Sequence, residues 1–141
     1  MASLAAVRDA IKSTIDAAAI TGLRCYDTAP DSPQFPCVVI IPSDATFDQT
    51  FGRGQDEYTF DLDVMSQATS ERAGQDQLDA LISGVSGSSV RAAIWSTPTL
   101  GLVSTASRVT GFRDYGVALD AAGARYFRAV LELTVQTKGT T

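Results

Sequence analysis

Apolar side chains recur every three or four residues at the start of the chain and every second residue near its end. Leu4, Val7, Ile11, Ile15 and Ala18 draw one stripe along a 3.6-residue repeat, which predicts a helix over residues 3–20. Ser3 is placed to cap its start, and Gly22 stands just past its end, where a left-handed residue is expected. A short strand is predicted over residues 23–26, followed by a turn-rich stretch whose prolines at 30, 33 and 36 exclude helix and central strand. The continuous apolar run at 37–41, stopped by Pro42, reads as a strand buried on both faces. Phe47, Tyr58, Phe60, Leu62 and Val64 frame a hairpin in which Thr59, Asp61 and Asp63 face the other way. Its tip, at 51–56, carries two glycines.

A second helix is predicted over residues 70–85, capped by Thr69 or Ser70, with Leu78, Leu81, Ile82 and Val85 inward and Gly84 and Gly87 ending it. A short helix at 89–95 follows, stopped by Pro98, with Trp95 expected as its core anchor. The remainder reads as two strands, 102–115 and 125–137, joined by a turn at 120–123. In the last strand Phe127, Ala129, Leu131, Leu133 and Val135 face one way and Tyr126, Arg128, Val130, Glu132 and Thr134 the other. The order α-βββ-αα-ββ, with short links between neighbouring strands, predicts an α+β fold. Two main helices then lie on one mainly antiparallel sheet. With 141 residues, no internal repeat and no change of composition, a single domain over 1–141 is expected.

The most decisive count is histidine, which is zero. That excludes His-based triads, Cys–His pairs and imidazole general bases, and it removes most zinc and iron sites. Paired carboxylates remain: Asp44, Asp48, Asp56, Glu57, Asp61 and Asp63. Their spacing matches no calcium loop, and the alternation of Asp61 and Asp63 with apolar neighbours reads as a solvated strand face. Gly52-Arg53-Gly54 lacks the Gly-Lys-Ser/Thr and the helix start of a phosphate loop, and no serine sits in a Gly-x-Ser-x-Gly elbow. No catalytic, cofactor-binding or metal-binding residue is therefore expected, and no cofactor.

Acidic residues outnumber basic ones 16 to 11, for a net charge of −5, and the arginines are spread singly, so phosphate-led nucleic-acid binding is not expected. Residues 1–7 lack the basic start of an export signal, and no apolar run approaches the roughly 20 residues of a membrane helix. Cys25 and Cys37 both lie in strand-like contexts. Two reduced thiols are expected, and a disulfide becomes possible only if those strands pair. With 20 alanines the core is thin in bulky side chains, which leaves room for burial against partners.

Taken together, the amphipathic helix at 4–20, Gly22-Leu-Arg-Cys-Tyr26, the Pro-rich entry to Phe35-Pro-Cys-Val-Val-Ile40, the alternating 58–64 segment, the helix with Leu78 and Leu81, and the closing 125–135 strand resemble the tail terminator proteins of phages with long non-contractile tails. The resemblance spans about residues 3–137 and rests on the order of elements, since no single motif is diagnostic. It implies a structural virion protein, assembled in the host cytoplasm, that closes into a ring, expected as a hexamer, at the head-proximal end of the tail tube. The ring would stop tube polymerisation and join the tail to the head connector. Its partners would be further copies of itself, the tail tube protein and head–tail connector proteins, with DNA passing through the lumen without specific binding and no membrane involved. The hairpin residues Phe47, Phe51 and Arg53, together with Arg113 and Asp114, are the candidate protein-interface residues. Two alternatives stay open: another head–tail joining protein (a connector, stopper or tail-completion protein), or a cytosolic ligand-binding domain.

Overall fold

Strict alternation in two long strands organises the molecule. The computed structural model describes residues 3–20, 22–28, 35–48, 54–66, 71–83, 89–102, 104–119, 123 and 125–138. Its elements are α1 (Leu4–Ala17), β1 (Arg24–Tyr26), β2 (Cys37–Thr46), β3 (Gln55–Ser66), α2 (Glu71–Ser83), α3 (Val90–Ser96), β4 (Thr105–Leu119) and β5 (Arg125–Lys138). The strands form one sheet in the order β1-β2-β3-β5-β4, with β1 parallel to β2 and every other pair antiparallel. The α+β class and the order α-βββ-αα-ββ are those expected from the sequence.

Register decides which residues meet. Ile40 faces Leu62 and Leu62 faces Leu131, while Tyr58 faces Val135, so β2, β3 and β5 send their apolar members to one side. There they join Val7, Ile11 and Ile15 of α1, Leu78, Leu81 and Ile82 of α2, and Val90 and Ile94 of α3 in one core. Each such aliphatic side chain contributes about 1.5–3 kcal/mol on burial. The other face of the sheet carries none of the described helices; on it lie Glu57, Thr59, Asp61 and Asp63 of β3 beside Arg128, Val130, Glu132 and Thr134 of β5.

Polar ties hold the helices over that core. The buried Ser66 hydroxyl donates to the Gly74 carbonyl at 2.9 Å, and the Tyr115 hydroxyl donates to Asp79 Oδ1 at 2.6 Å. Arg91 donates to the Ser83 carbonyl at 3.1 Å, at the end of α2 where exposed carbonyls favour a cation.

Element ends depart from expectation in instructive ways. Ser3 does cap α1, accepting from the Ala6 N–H at 3.2 Å. The helix, however, ends at Ala17, and Ala19 takes the left-handed conformation at φ 51° well before Gly22. β2 does not stop at Pro42 but continues to Thr46 through an irregularity between Pro42 and Asp44. That continuation is possible because β1 covers only Cys37–Val39, so Pro42 stands on an outer edge where no neighbour needs its N–H. β4 extends to Leu119 with two register shifts of its own. The hairpin tip at 49–53, the caps at 69 and 70, Gly84, Val85 and Gly87, and most of the 120–123 turn lie outside the described residues.

The two cysteines show how pairing and proximity differ. β1 and β2 do pair, with Cys25 opposite Val38 and Arg24 opposite Cys37. Val38 belongs to the core, so Cys25 points to the helical face, and Cys37, one residue earlier, points to the open one. A disulfide between them would have to pass through the sheet, and both thiols are free. Burial pushes the Cys25 thiol up to about 12 and the Cys37 thiol up to about 11. At pH 8 the native protein is therefore expected to react with a thiol reagent at least a hundredfold more slowly than the unfolded chain, because the thiolate is the nucleophile. Rapid native labelling, or an intramolecular disulfide in oxidised protein, would contradict this arrangement.

Candidate assembly interface

On the open face, Asp61 lies directly opposite Glu132, a cross-strand pair of like charges that is unfavourable by itself. Arg113, reaching over from β4, resolves it. Its Nη2 donates to Asp61 and its Nε to Glu132 Oε1 at 3.1 Å, while Nη1 donates to Asp114 Oδ2 at 2.6 Å. These contacts raise the Arg113 guanidinium above its ordinary value, the Asp61 hydrogen bond most of all. One strand-step away, Arg128 grips Asp63 through Nε at 3.3 Å and Nη2 at 3.0 Å. The Asp63 side chain is only 14% exposed. Burial raises its carboxyl above the usual range, against the opposing pull of Arg128.

The acidic strand face is thus not simply solvated, as the alternation suggested. Asp61 and Asp63 are largely covered and committed to arginines, because β4 and β5 carry those arginines at matching register. Among the described residues, no group of three or more Cys, Asp or Glu side chains is placed to hold a metal ion.

The structure divides the candidate interface residues. Arg113 and Asp114 are joined in the network above, on the rung of Val130 and Asp63. Phe47 lies beyond the rung of Thr46, Glu57 and Gln136, which is six β5 residues, roughly 20 Å, further along the sheet. Phe51 and Arg53 lie outside the described residues. Phe47 itself is 63% exposed and makes an edge-on contact with Tyr58, ring centroids 6.1 Å apart.

Trp95 corrects the sequence reading. Expected in the core, it is 69% exposed. The inward face of α3 is made by Val90, Ala93 and Ile94, and Trp95 falls four residues after Arg91, on the outer side. The phase of a short helix, not the size of the side chain, decides which face a residue takes. Trp95 stands over a pocket of about 310 Å³ between α3 and the start of β4, lined also by Arg91, Ile94, Pro98, Arg108 and Val109. Further along β4, the outermost strand, Phe112, Val117 and Leu119 are also exposed. Large exposed apolar side chains on one outer strand are a signature of contact surfaces.

Exposed apolar side chains along β4 and just past the end of β2, with a charge network on the open sheet face, are the features a protein-contact surface would use. The family model described as Tail completion protein gp17 matches residues 5–137. The chain belongs to this phage tail-assembly family, which is closely related to the tail terminator proteins and is a structural, non-catalytic class. It is accordingly a structural protein of the phage virion. Comparison with curated proteins gave no match.

Proposed function

We propose that the chain, acting as one domain, closes into a hexameric ring at the head-proximal end of the tail tube, stops tube polymerisation there and joins the tail to the head connector. The observation that carries this reading is the placement of exposed apolar side chains at both lateral edges of one sheet. Phe47 lies on the β2 side, and Trp95, Phe112 and Leu119 on the β4 side. A protomer with two different sticky edges associates head to tail, and such contacts either close into a ring or run on as a filament. Phe47, with Phe51 and Arg53 of the adjoining turn, contributes to one such contact. Arg113 and Asp114 present a preorganised charged patch to a neighbouring tail or connector protein. A net charge of −5 suits a lumen that DNA crosses without being gripped.

Mixing the protein with polymerising tail-tube subunit and imaging the products tests this. Tubes are expected to stop short, each with a ring at one end, in proportion to the protein added. Replacing residues 47–56 by an Asn-Gly turn should leave a folded protein that no longer caps. Tubes of unchanged length, or binding to portal–connector complexes with no effect on tubes, would remove the terminator role and leave a neck component of the head–tail joint.

A further inference from the structure

We infer that the contact between neighbouring copies is a knob-in-pocket joint. Phe47 of one copy inserts beneath Trp95 of the next, and the carboxylates around Phe47 meet Arg108 and Arg91 at the pocket rim. This rests on the ring reading and names the residues that would close it.

The knob is built for a partner rather than for its own core. Phe47 directly follows β2 with its ring largely in solvent, and among the described residues Tyr58 is its one aromatic contact. Asp44 and Asp48 flank it, and Asp56 stands across the hairpin, where its Oδ1 accepts from the Asp48 N–H at 3.0 Å. Among the described residues, the Asp44 carboxylate accepts only from the Ala45 N–H. None of the three has a cationic partner among the described residues.

The pocket is its complement. Ile94, Trp95, Pro98 and Val109 make an apolar lining, and about 310 Å³ accommodates one phenyl ring. Arg91 and Arg108 border it. The Arg108 side chain is exposed and has no hydrogen bond or ion pair among the described residues, in contrast to Arg113 and Arg128. Glu57, which borders Arg108 on the open face, accepts from Gln136 Nε2 at 3.0 Å. In a chain of net charge −5, two arginines beside an open apolar pocket suit an acidic, aromatic-tipped segment. The chain itself supplies one.

Register excludes the same-chain contact and points to closure. Thr46, Glu57, Gln136 and Ala106 occupy one rung of the sheet. Knob and pocket therefore sit at the same end of the strands but on opposite edges, three strand spacings or roughly 14 Å apart. At this end β2 is, among the described residues, itself an outer strand, because β1 pairs only with Cys37–Val39. A neighbour placed side by side along the rung meets the pocket with little displacement along the strands. Repetition without axial rise closes a ring instead of winding a helix.

Trp95 is the sole tryptophan, so its fluorescence reports this contact directly. In the full-length protein, emission is expected to shift to the blue over the same concentration range in which sedimentation shows assembly. Phe47→Ser and Arg108→Glu should each weaken association at least tenfold while leaving the melting temperature of the monomer unchanged. Asp44→Lys should do the same, and combining Asp44→Lys with Arg108→Glu should restore most of the assembly. Rings that form with unshifted Trp95 emission, or with undiminished strength in Phe47→Ser, would overturn the joint and leave the ring reading standing. A protein that stays monomeric at every concentration, alone and with tube subunit, would overturn both. Open filaments with the blue shift would support the joint and reject closure.

Discussion

Replacing Phe60 by alanine is expected to lower the melting temperature by about 10–20 °C and to abolish assembly with it. Phe60 is fully buried on β3, the central strand, with Leu133 opposite on β5 and Pro42 opposite on β2. Its ring also touches Tyr58, centroids 6.4 Å apart. The core is built mainly of Ile, Leu and Val, with Ala10 and Ala129 as its alanines, so the expectation of a core thin in bulky side chains does not hold; these packed side chains can close only part of the space a lost ring would leave. Removing a buried phenyl ring costs about 3–5 kcal/mol, transfer and cavity together. A domain of this length loses roughly 3–4 °C per kcal/mol. Phe60→Leu keeps most of the volume and should cost under about 1.5 kcal/mol. Thermal unfolding followed by circular dichroism separates these outcomes, and equal melting of the alanine and leucine variants would show that the core does not centre on β3.

The second large effect is electrostatic. Arg128→Ala leaves Asp63, 14% exposed, as a covered carboxylate with no cation beside it. A fully buried broken pair costs about 3–5 kcal/mol; the 36% exposure of the Arg128 side chain reduces the expected loss at pH 7 to about 1–2 kcal/mol. The dependence on pH has a definite sign. Burial raises the Asp63 carboxyl in the folded protein, so the folded state holds that proton more tightly than the unfolded chain does. Its ionisation therefore opposes folding at neutral pH, and the opposition fades as pH falls through the folded value towards the unfolded one near 3.8. Without Arg128 that opposition is stronger. The stability gap between Arg128→Ala and the parent should narrow between pH 7 and pH 4, and Asp63→Asn should rescue most of it at pH 7. A gap that widens on acidification would place the role of Arg128 elsewhere.

Both effects arise from positions whose character is visible in the chain to different degrees. Phe60 sits in a segment where every second residue from Tyr58 to Val64 is apolar, and a period of two has only one structural meaning at that length. Asp61 and Asp63 carry the same alternation, yet it assigns them only to the other face. Whether that face meets water, arginines or a partner depends on β4 and β5, some 50 to 70 residues away, and no local pattern encodes such a meeting.

The candidate interface divides in the same way. Phe47 follows the last residue of β2, and its exposure was not set by any local alternation. Trp95 is large and apolar, which suggests the core, but its four-residue spacing from Arg91 sets it on the outer side of α3. The pocket beneath it was legible nowhere: α3 and the start of β4 form it only after both dock on the same sheet edge.

What the sequence alone determined is therefore the set of local events: the phase of the first helix, strand alternation, the Ser3 cap, and the absence of histidine chemistry. Each depends on near neighbours in the chain and on periods of two or 3.6. The tertiary structure alone decided the strand order β1-β2-β3-β5-β4, the opposite faces of Cys25 and Cys37, the partners of Arg113 and Arg128, and the shared rung that sets Phe47 and the Trp95 pocket on opposite edges. Those features depend on register between distant strands. A shift of one residue reverses every face in a sheet, and only the packing of the whole core selects among registers.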